Sequence, residues 1–209
     1  MFDPSLKTGL DELPELCRAT DRLLWQAFFN SSKEPFDLTA PSKLIFPKYG
    51  RRTPVKLRVS EQEARFAFVE SLRDRPFLYS VETPTLESYQ LTGSKPLSAQ
   101  SDLTLYYPTG EQICNVEFKS KGASPQAKSH FSIVKDLEKL LREGVNGLWF
   151  HLLESVNNTT IPNLIKVIAT GLETVRLETF RKDSNKQIKS PQLVIHVCVL
   201  EPGFSMHRA

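Results

Sequence analysis

The stretch Ser101–Gly122, SDLTLYYPTGEQICNVEFKSKG, decides how the rest of the chain is interpreted. Apolar and polar residues alternate on both sides of Pro108-Thr109-Gly110, which is a typical turn sequence. The apolar rows are Leu103, Leu105 and Tyr107 before the turn and Cys114, Val116 and Phe118 after it. This alternation predicts two strands joined as a β-hairpin.

The hairpin would bring three charged side chains together. A two-residue loop at Thr109-Gly110 pairs Asp102 with Glu117, with Cβ atoms roughly 5 Å apart on the face opposite the apolar rows. Two opposed carboxylates are destabilising unless a positive charge lies between them, and a divalent cation is the obvious candidate. Lys119 projects from the same face because side chains alternate along a strand. We therefore expect two carboxylates and an ammonium group to converge on one patch.

These residues resemble the motif of the PD-(D/E)XK nuclease superfamily, whose members have a restriction-endonuclease-like fold. The motif is an acid on one strand of a hairpin and (D/E)-x-K on the next. It is matched by Asp102 and by Glu117-Phe118-Lys119, with Ser101 where the motif often has proline. The resemblance covers about Ser60 to Leu153 and implies an α/β fold, in which an αβββαβ core forms a mixed central sheet flanked by helices.

The resemblance also implies a metal-dependent endonuclease that hydrolyses phosphodiester bonds in DNA. Asp102, Glu117 and the main-chain carbonyl of Phe118 would bind Mg²⁺, for which Mn²⁺ is a possible substitute. Lys119 would orient or polarise the attacking water and stabilise the negative charge that develops on the phosphate.

Related nucleases often carry a helical glutamate just before the core sheet. Glu63 is the first candidate for this role, as a catalytic residue and a ligand of a second ion, and Glu70 is the second candidate. Glu63 is also the third helical residue after Ser60, where a capping box alone would require a glutamate. Both explanations of Glu63 stay open.

Hydrophobic periodicity predicts the elements around the hairpin. Helices are expected at 14–29, 60–73, 126–143 and 161–182, and strands at 77–81, 147–153 and 192–200, with another strand considered at 86–91. From 60 to 153 the predicted order is helix, three strands, helix, strand, which matches the αβββαβ core. We divide the chain into an N-terminal helical extension with a basic connecting arm, residues 1–59, and a nuclease-like domain, residues 60–209.

The net charge of +3 is too small to require a polyanionic partner, but the charge is unevenly distributed. Residues 43–58 hold six basic residues and no acid, which favours either an arm along a phosphate backbone or a solvated linker. The candidate nucleic-acid-binding residues, from this arm and from the segment after the hairpin, are Arg51, Arg52, Lys56, Arg58, Lys121, Lys128 and His130.

The composition, with 40% hydrophobic and 24% charged residues, is typical of a globular protein. No apolar run approaches the roughly 20 residues of a membrane span, and the N-terminus lacks the apolar segment of a secretory signal, so we expect a cytoplasmic protein. Cys114 and Cys198 lie in apolar strands and are predicted to be buried thiols. The candidate assemblies are a homodimer and a larger defence or recombination complex.

Two other interpretations compete with the nuclease. In the first, the fold is retained without activity, Lys119 neutralises Glu117 and Asp102, and the protein is a binding or assembly module. In the second, the chain is an unrelated α/β domain whose E-x-K sequence lies on a solvated edge strand.

Overall fold

The computed structural model describes residues 9–49, 56–89, 97–120, 127–154, 156–182 and 190–201. Within these ranges, no helix has the length and apolar character needed to cross a bilayer. The elements follow in the order α1 (Gly9–Ser31), β1 (Lys48–Tyr49), β2 (Lys56–Leu57), α2 (Glu61–Ser71), β3 (Leu78–Tyr89), β4 (Leu97–Tyr106), β5 (Gln112–Lys119), α3 (Ala127–Arg142), β6 (Asn146–Glu154), α4 (Thr160–Lys182) and β7 (Leu193–Leu200).

Strands β3 to β7 form a five-stranded sheet in sequence order, and β1 and β2 pair separately. The pairs β3/β4 and β4/β5 are antiparallel, whereas β5/β6 and β6/β7 are parallel, with α3 and α4 in the two connections. The prediction of an α/β fold with a mixed sheet flanked by helices is confirmed. The E-x-K sequence lies on β5, the middle strand, so the interpretation as a solvated edge strand is wrong.

Two apolar layers cover the sheet. Alternate residues of the central strands, including Leu103, Val116 and Phe118, pack with α1 and α2 on one face. Trp149 and Leu153 of β6 pack with α3 and α4 on the other face. The N-terminal helix α1 belongs to the first layer, with Leu16 and Leu24 fully buried. Because side chains alternate along β5, its polar residues Asn115, Glu117 and Lys119 point toward the α3 layer.

The three cysteines are free and buried, which confirms the prediction for Cys114 and Cys198. Burial raises the pKa of the Cys114 thiol, and Cys17 adds to this effect. These thiols are therefore core residues, since a reactive cysteine needs an exposed and acidified side chain.

The hairpin turn differs from the predicted two-residue loop. Tyr107 N–H donates to the Glu111 carbonyl, and Gly110 N–H donates to the Tyr107 carbonyl, so the loop has one more residue than expected. Gly110 has φ 86°, a left-handed conformation that glycine adopts without strain. A register shift at Ile113 then compensates for the longer loop, because Tyr106 pairs with Gln112 while Leu105 pairs with Cys114.

The register beyond this bulge is the predicted one, with Leu103 opposite Val116 and Thr104 opposite Asn115. The next step along both strands brings Asp102 toward Glu117. The apolar rows therefore predict the pairing of the strands correctly, although the turn that joins them was assigned incorrectly.

Glu143, directly after α3, fastens that helix to β3. Its carboxylate accepts hydrogen bonds from Leu86 N–H at 2.7 Å, from Glu87 N–H at 3.2 Å and from the Tyr89 hydroxyl at 2.6 Å. The pairing of β3 with β4 is irregular between Pro84 and Ser88, which frees backbone N–H groups for these bonds. We refer to Glu143 and its three partners as the Glu143 clamp.

Gly147 of β6 lies in close contact with α3. A Cβ atom added there would lie 2.9 Å from Leu140 Cβ and 3.0 Å from the Leu140 carbonyl oxygen, neither of which can rotate away. We expect Gly147→Ala to lower the free energy of unfolding by about 1–3 kcal/mol, the usual cost of overpacking a core. Chemical denaturation would measure this difference.

Gly171→Ala in α4 is the matched control. The Cβ there would meet the end of the Leu137 side chain at 2.8 Å, which can rotate, and alanine favours the helix. A loss at Gly171 as large as the loss at Gly147 would contradict the proposed contact.

Candidate functional site

Asp102 lies where β4 and β5 begin to separate. Its Oδ2 atom accepts a hydrogen bond from the main-chain N–H of Phe118 at 2.8 Å. The side chain therefore binds the backbone of the E-x-K sequence itself. It is 23% exposed, in contrast to Glu117, whose side chain is 1% exposed.

Glu117 forms a buried ion pair with a residue that the sequence analysis did not select. Lys139 Nζ of α3 lies 2.6 Å from Glu117 Oε1 and 3.1 Å from Asp136 Oδ1. The same ammonium group donates to the main-chain carbonyl of Gln100 at 2.9 Å. One cation thus joins β4, β5 and α3.

Lys119 points into the same region. Its Nζ lies 2.8 Å from Asp136 Oδ2 and 5.9 Å from the centre of the Trp149 ring, within the range of a cation–π contact. Asp136 therefore binds Lys119 with one carboxylate oxygen and Lys139 with the other. Glu117 also interacts electrostatically with Lys119.

Arg65 of α2 binds Asp102 from the layer on the other side of the sheet from α3. Its Nη2 lies 3.1 Å from Asp102 Oδ1, and its Nη1 lies 3.9 Å from Glu82 Oε1. Among the described residues, the buried Nε of Arg65 has no hydrogen-bond acceptor. A buried donor without an acceptor is costly, so this guanidinium group is held in place at the expense of stability.

We call this group the central charge network. In the described part of the chain it holds three carboxylates and three cations, namely Asp102, Glu117, Asp136, Arg65, Lys119 and Lys139. The predicted residues Asp102, Glu117 and Lys119 are therefore brought together on the sheet, with additional residues supplied by both flanking layers.

The surroundings change the proton affinity of the network. Burial raises the pKa of Glu117, Lys139 opposes this effect, and the carboxylates of Asp136 and Asp102 add to it. Burial alone would lower the pKa of Lys119, but the carboxylates of Asp136 and Glu117 more than offset burial and raise it. The pKa of Lys139 is raised in the same way, against the effect of burial, by Glu117 and Asp136. Both lysines are therefore cationic at neutral pH.

Glu63 has the capping role that the sequence also allowed. Its Oε2 accepts hydrogen bonds from the Ser60 N–H at 2.8 Å and from the Ser60 hydroxyl, and Arg58 lies 3.9 Å from Oε1. The second candidate, Glu70, accepts from the Ser42 hydroxyl at 2.7 Å. These contacts account for both glutamates without an ion, and a role in binding a second ion stays a prediction.

Glu61 of α2 acts electrostatically on the network. Its charge contributes to the raised pKa of Lys119. Residues four apart lie on one side of a helix, so Glu61 shares a face with Arg65, whereas Glu63 lies on a different face. The sequence analysis selected Glu63 and Glu70 on this helix and did not select Glu61.

Of the candidate nucleic-acid-binding residues, only Arg58 has a side chain that the structure describes. Arg58 is exposed and lies beside Glu63. Arg51, Arg52 and Lys121 lie outside the described residues, as do the side chains of Lys56 in β2 and of Lys128 and His130 in α3. Their contact with nucleic acid stays a prediction.

Lys139 and Asp136 could have been found from one signal. They are three residues apart on α3 and lie directly beside the buried Leu137 and Leu140. They are therefore on the buried side of the helix and not on its exposed face. Charged residues on the apolar side of a helix indicate a buried partner, and Glu117 is that partner.

The oxygen atoms of Asp102, Glu117 and the Phe118 main chain are of the type that Mg²⁺ and Mn²⁺ prefer. Within the described ranges, however, no group of three or more His, Cys, Asp or Glu side chains is arranged to hold a metal ion. The chemistry of the donors fits a hard cation, but part of their charge is taken up by Lys139 and Arg65. Comparison of the chain with protein-family models, with curated proteins and with solved structures gives no match.

Proposed function

We propose that the chain is a divalent-metal-dependent nuclease that hydrolyses phosphodiester bonds in DNA, with a restriction-endonuclease-like core. The observation that supports this proposal is the central charge network around Asp102, Glu117 and Lys119. These residues resemble the acid and the E-x-K sequence of the nuclease motif, and they lie on the neighbouring strands β4 and β5.

A network of buried charges needs a reason other than stability. Removing charges from water costs several kcal/mol for each ion, and well-packed apolar residues in their place are often equally stable or more stable. Strongly perturbed titratable groups cluster at functional sites for this reason. Glu117, with a raised pKa and almost no exposed surface, is such a group.

The side chains can be given distinct roles. A bound divalent cation would supply Lewis-acid stabilisation of the charge on the phosphate. Asp102 and Glu117 would hold this ion, with the main-chain carbonyl of Phe118 as a further oxygen ligand. The hydrogen bond from Phe118 N–H fixes Asp102 against β5, so that both carboxylates are positioned by the same strand.

Lys119 acts as a donor in this scheme. Because its raised pKa keeps it protonated, it cannot accept a proton from water and is not a general base. It would orient the attacking water and stabilise negative charge on the phosphate. Asp136 holds its ammonium group in place at 2.8 Å, and Arg65 pairs with Asp102 at 3.1 Å.

The direct test is cleavage of plasmid DNA and of a labelled single-stranded oligonucleotide with Mg²⁺ or Mn²⁺. We expect cleavage that EDTA abolishes, and a rate at least about 100-fold lower in Asp102→Asn, because one ligand charge is lost. Asp74→Asn, at an exposed position after α2, is the matched control and should keep the wild-type rate. Equal rates in Asp102→Asn and the wild type would contradict the proposal.

One observation favours a second candidate, an inactive nuclease-like fold that serves as a binding or assembly module. The three carboxylates of the network are already matched by three cations of the protein. The pairing differs from the predicted one, since Lys139 neutralises Glu117 and Arg65 neutralises Asp102, while Lys119 binds Asp136. Calorimetry separates the two candidates, because the module would show no binding of Mg²⁺ or Mn²⁺.

A further inference from the structure

The ammonium group of Lys139 is placed like a bound cation. It has three N–H donors, and three oxygen atoms lie within 2.6–3.1 Å, from Glu117, Gln100 and Asp136. One is a main-chain carbonyl and two are carboxylate oxygens, which is the ligand chemistry of a hard metal ion. The side chain is only 6% exposed, so water does not replace these contacts.

We propose that Lys139 is the resident cation of the site and that a divalent ion binds Glu117 only after Lys139 leaves it. This inference rests on the proposed nuclease function and adds a control over metal loading. Lys139 is then an inhibitory residue for metal binding, as distinct from Lys119, which is proposed to contact the reacting groups.

The reason is competition for the same oxygen atoms. Glu117 is almost fully buried, and its Oε1 is occupied by Lys139. Two like charges on one carboxylate repel strongly where little water screens them. A divalent ion that binds this oxygen of Glu117 therefore has to displace the ammonium group of Lys139 from it.

Lys139 is the cation that has to leave Glu117. Lys119 pairs with Asp136, and Arg65 pairs with Asp102. The Oε1 atom of Glu117 pairs with Lys139. The long, flexible stem of a lysine can swing to a new position while the helix backbone stays in place. Metal binding would thus break the contacts of Lys139 with Glu117 and Gln100 and leave those of Lys119.

Calorimetric titration with Mn²⁺ tests the inference without any measurement of cleavage. We expect Lys139→Met to bind Mn²⁺ at least about 10-fold more tightly than the wild type, because the competing cation is gone. Lys166→Met, at an exposed position of α4, is the matched control and should bind as the wild type does. An affinity in folded Lys139→Met that is unchanged or weaker overturns the inference.

A second measurement uses the wild-type protein and does not depend on the folding of a variant. An amine-reactive reagent, read by mass spectrometry, should label Lys139 poorly without divalent ions and several-fold faster with saturating Mg²⁺ or Mn²⁺. The exposed Lys166 should react equally in both conditions. Unchanged labelling of Lys139 at a saturating concentration of bound metal overturns the inference.

The outcomes distinguish this inference from the proposed function. One outcome is that the wild type binds Mn²⁺, Asp102→Asn does not, and Lys139 stays protected from the amine-reactive reagent. This outcome supports the metal site and contradicts the role of Lys139. If neither the wild type nor Lys139→Met binds Mn²⁺, both proposals fall.

Discussion

Replacing Lys119 by methionine is expected to lower the rate of Mg²⁺-dependent DNA cleavage by about 10²–10⁴-fold, the usual effect of losing a group that stabilises charge in the transition state. Methionine has a similar length and fits beside the Trp149 ring, but it cannot donate a hydrogen bond. Binding of Mn²⁺ should persist, since Lys119 is not a ligand in the proposed site.

Single-turnover cleavage with saturating protein would measure this loss in the chemical step. Lys166→Met controls for the change of charge and should cleave at the wild-type rate. A normal rate in Lys119→Met, with the variant folded as judged by circular dichroism, would remove Lys119 from the mechanism. A parallel loss of Mn²⁺ binding would instead indicate that Lys119 organises the carboxylates.

Breaking the Glu117–Lys139 pair from one side should be the most destabilising charge substitution in the network. Lys139→Met leaves Glu117 buried without its cation, and removing one partner of a buried pair costs about 3–5 kcal/mol. The Gln100 carbonyl also loses its donor. Unfolding in urea, monitored by tryptophan fluorescence, would measure the change.

The double variant Glu117→Leu with Lys139→Met provides the comparison. It removes both charges and leaves Asp136 paired with Lys119, so most of the lost stability should return. Lys166→Met should change the free energy of unfolding by less than about 0.5 kcal/mol, as expected for an exposed site. Additive losses in the double variant would show that the two charges do not stabilise one another.

The fold was predictable because its central strands carry alternating apolar residues. A shift of one residue would move Leu103 and Val116 from the core to the other face, so the pattern determines the register even though the loop has one more residue than predicted. The turn was not predictable to the same degree, because Pro108-Thr109-Gly110 is compatible with loops of two or three residues.

The positions of the site residues were predictable only within the hairpin, although charged residues on the apolar side of α3 indicate a buried partner there. Asp102, Glu117 and Lys119 follow from alternation along two strands, whereas Lys139 and Arg65 reach the same point from helices in different layers. Local sequence patterns do not give the distance between a side chain on a helix and a side chain on a strand. The tertiary structure was therefore needed to identify the partners of the E-x-K sequence. These partners show that the carboxylates are paired with cations of the protein itself.

The Glu143 clamp has a consequence for how this site can respond to a ligand. Because Glu143 ties the end of α3 to β3 through uncharged donors, the helix is anchored independently of the ion pairs formed by Asp136 and Lys139. Side chains can then exchange partners while the helix stays in place, and the proposed metal binding would require rotamer changes with no displacement of the helix.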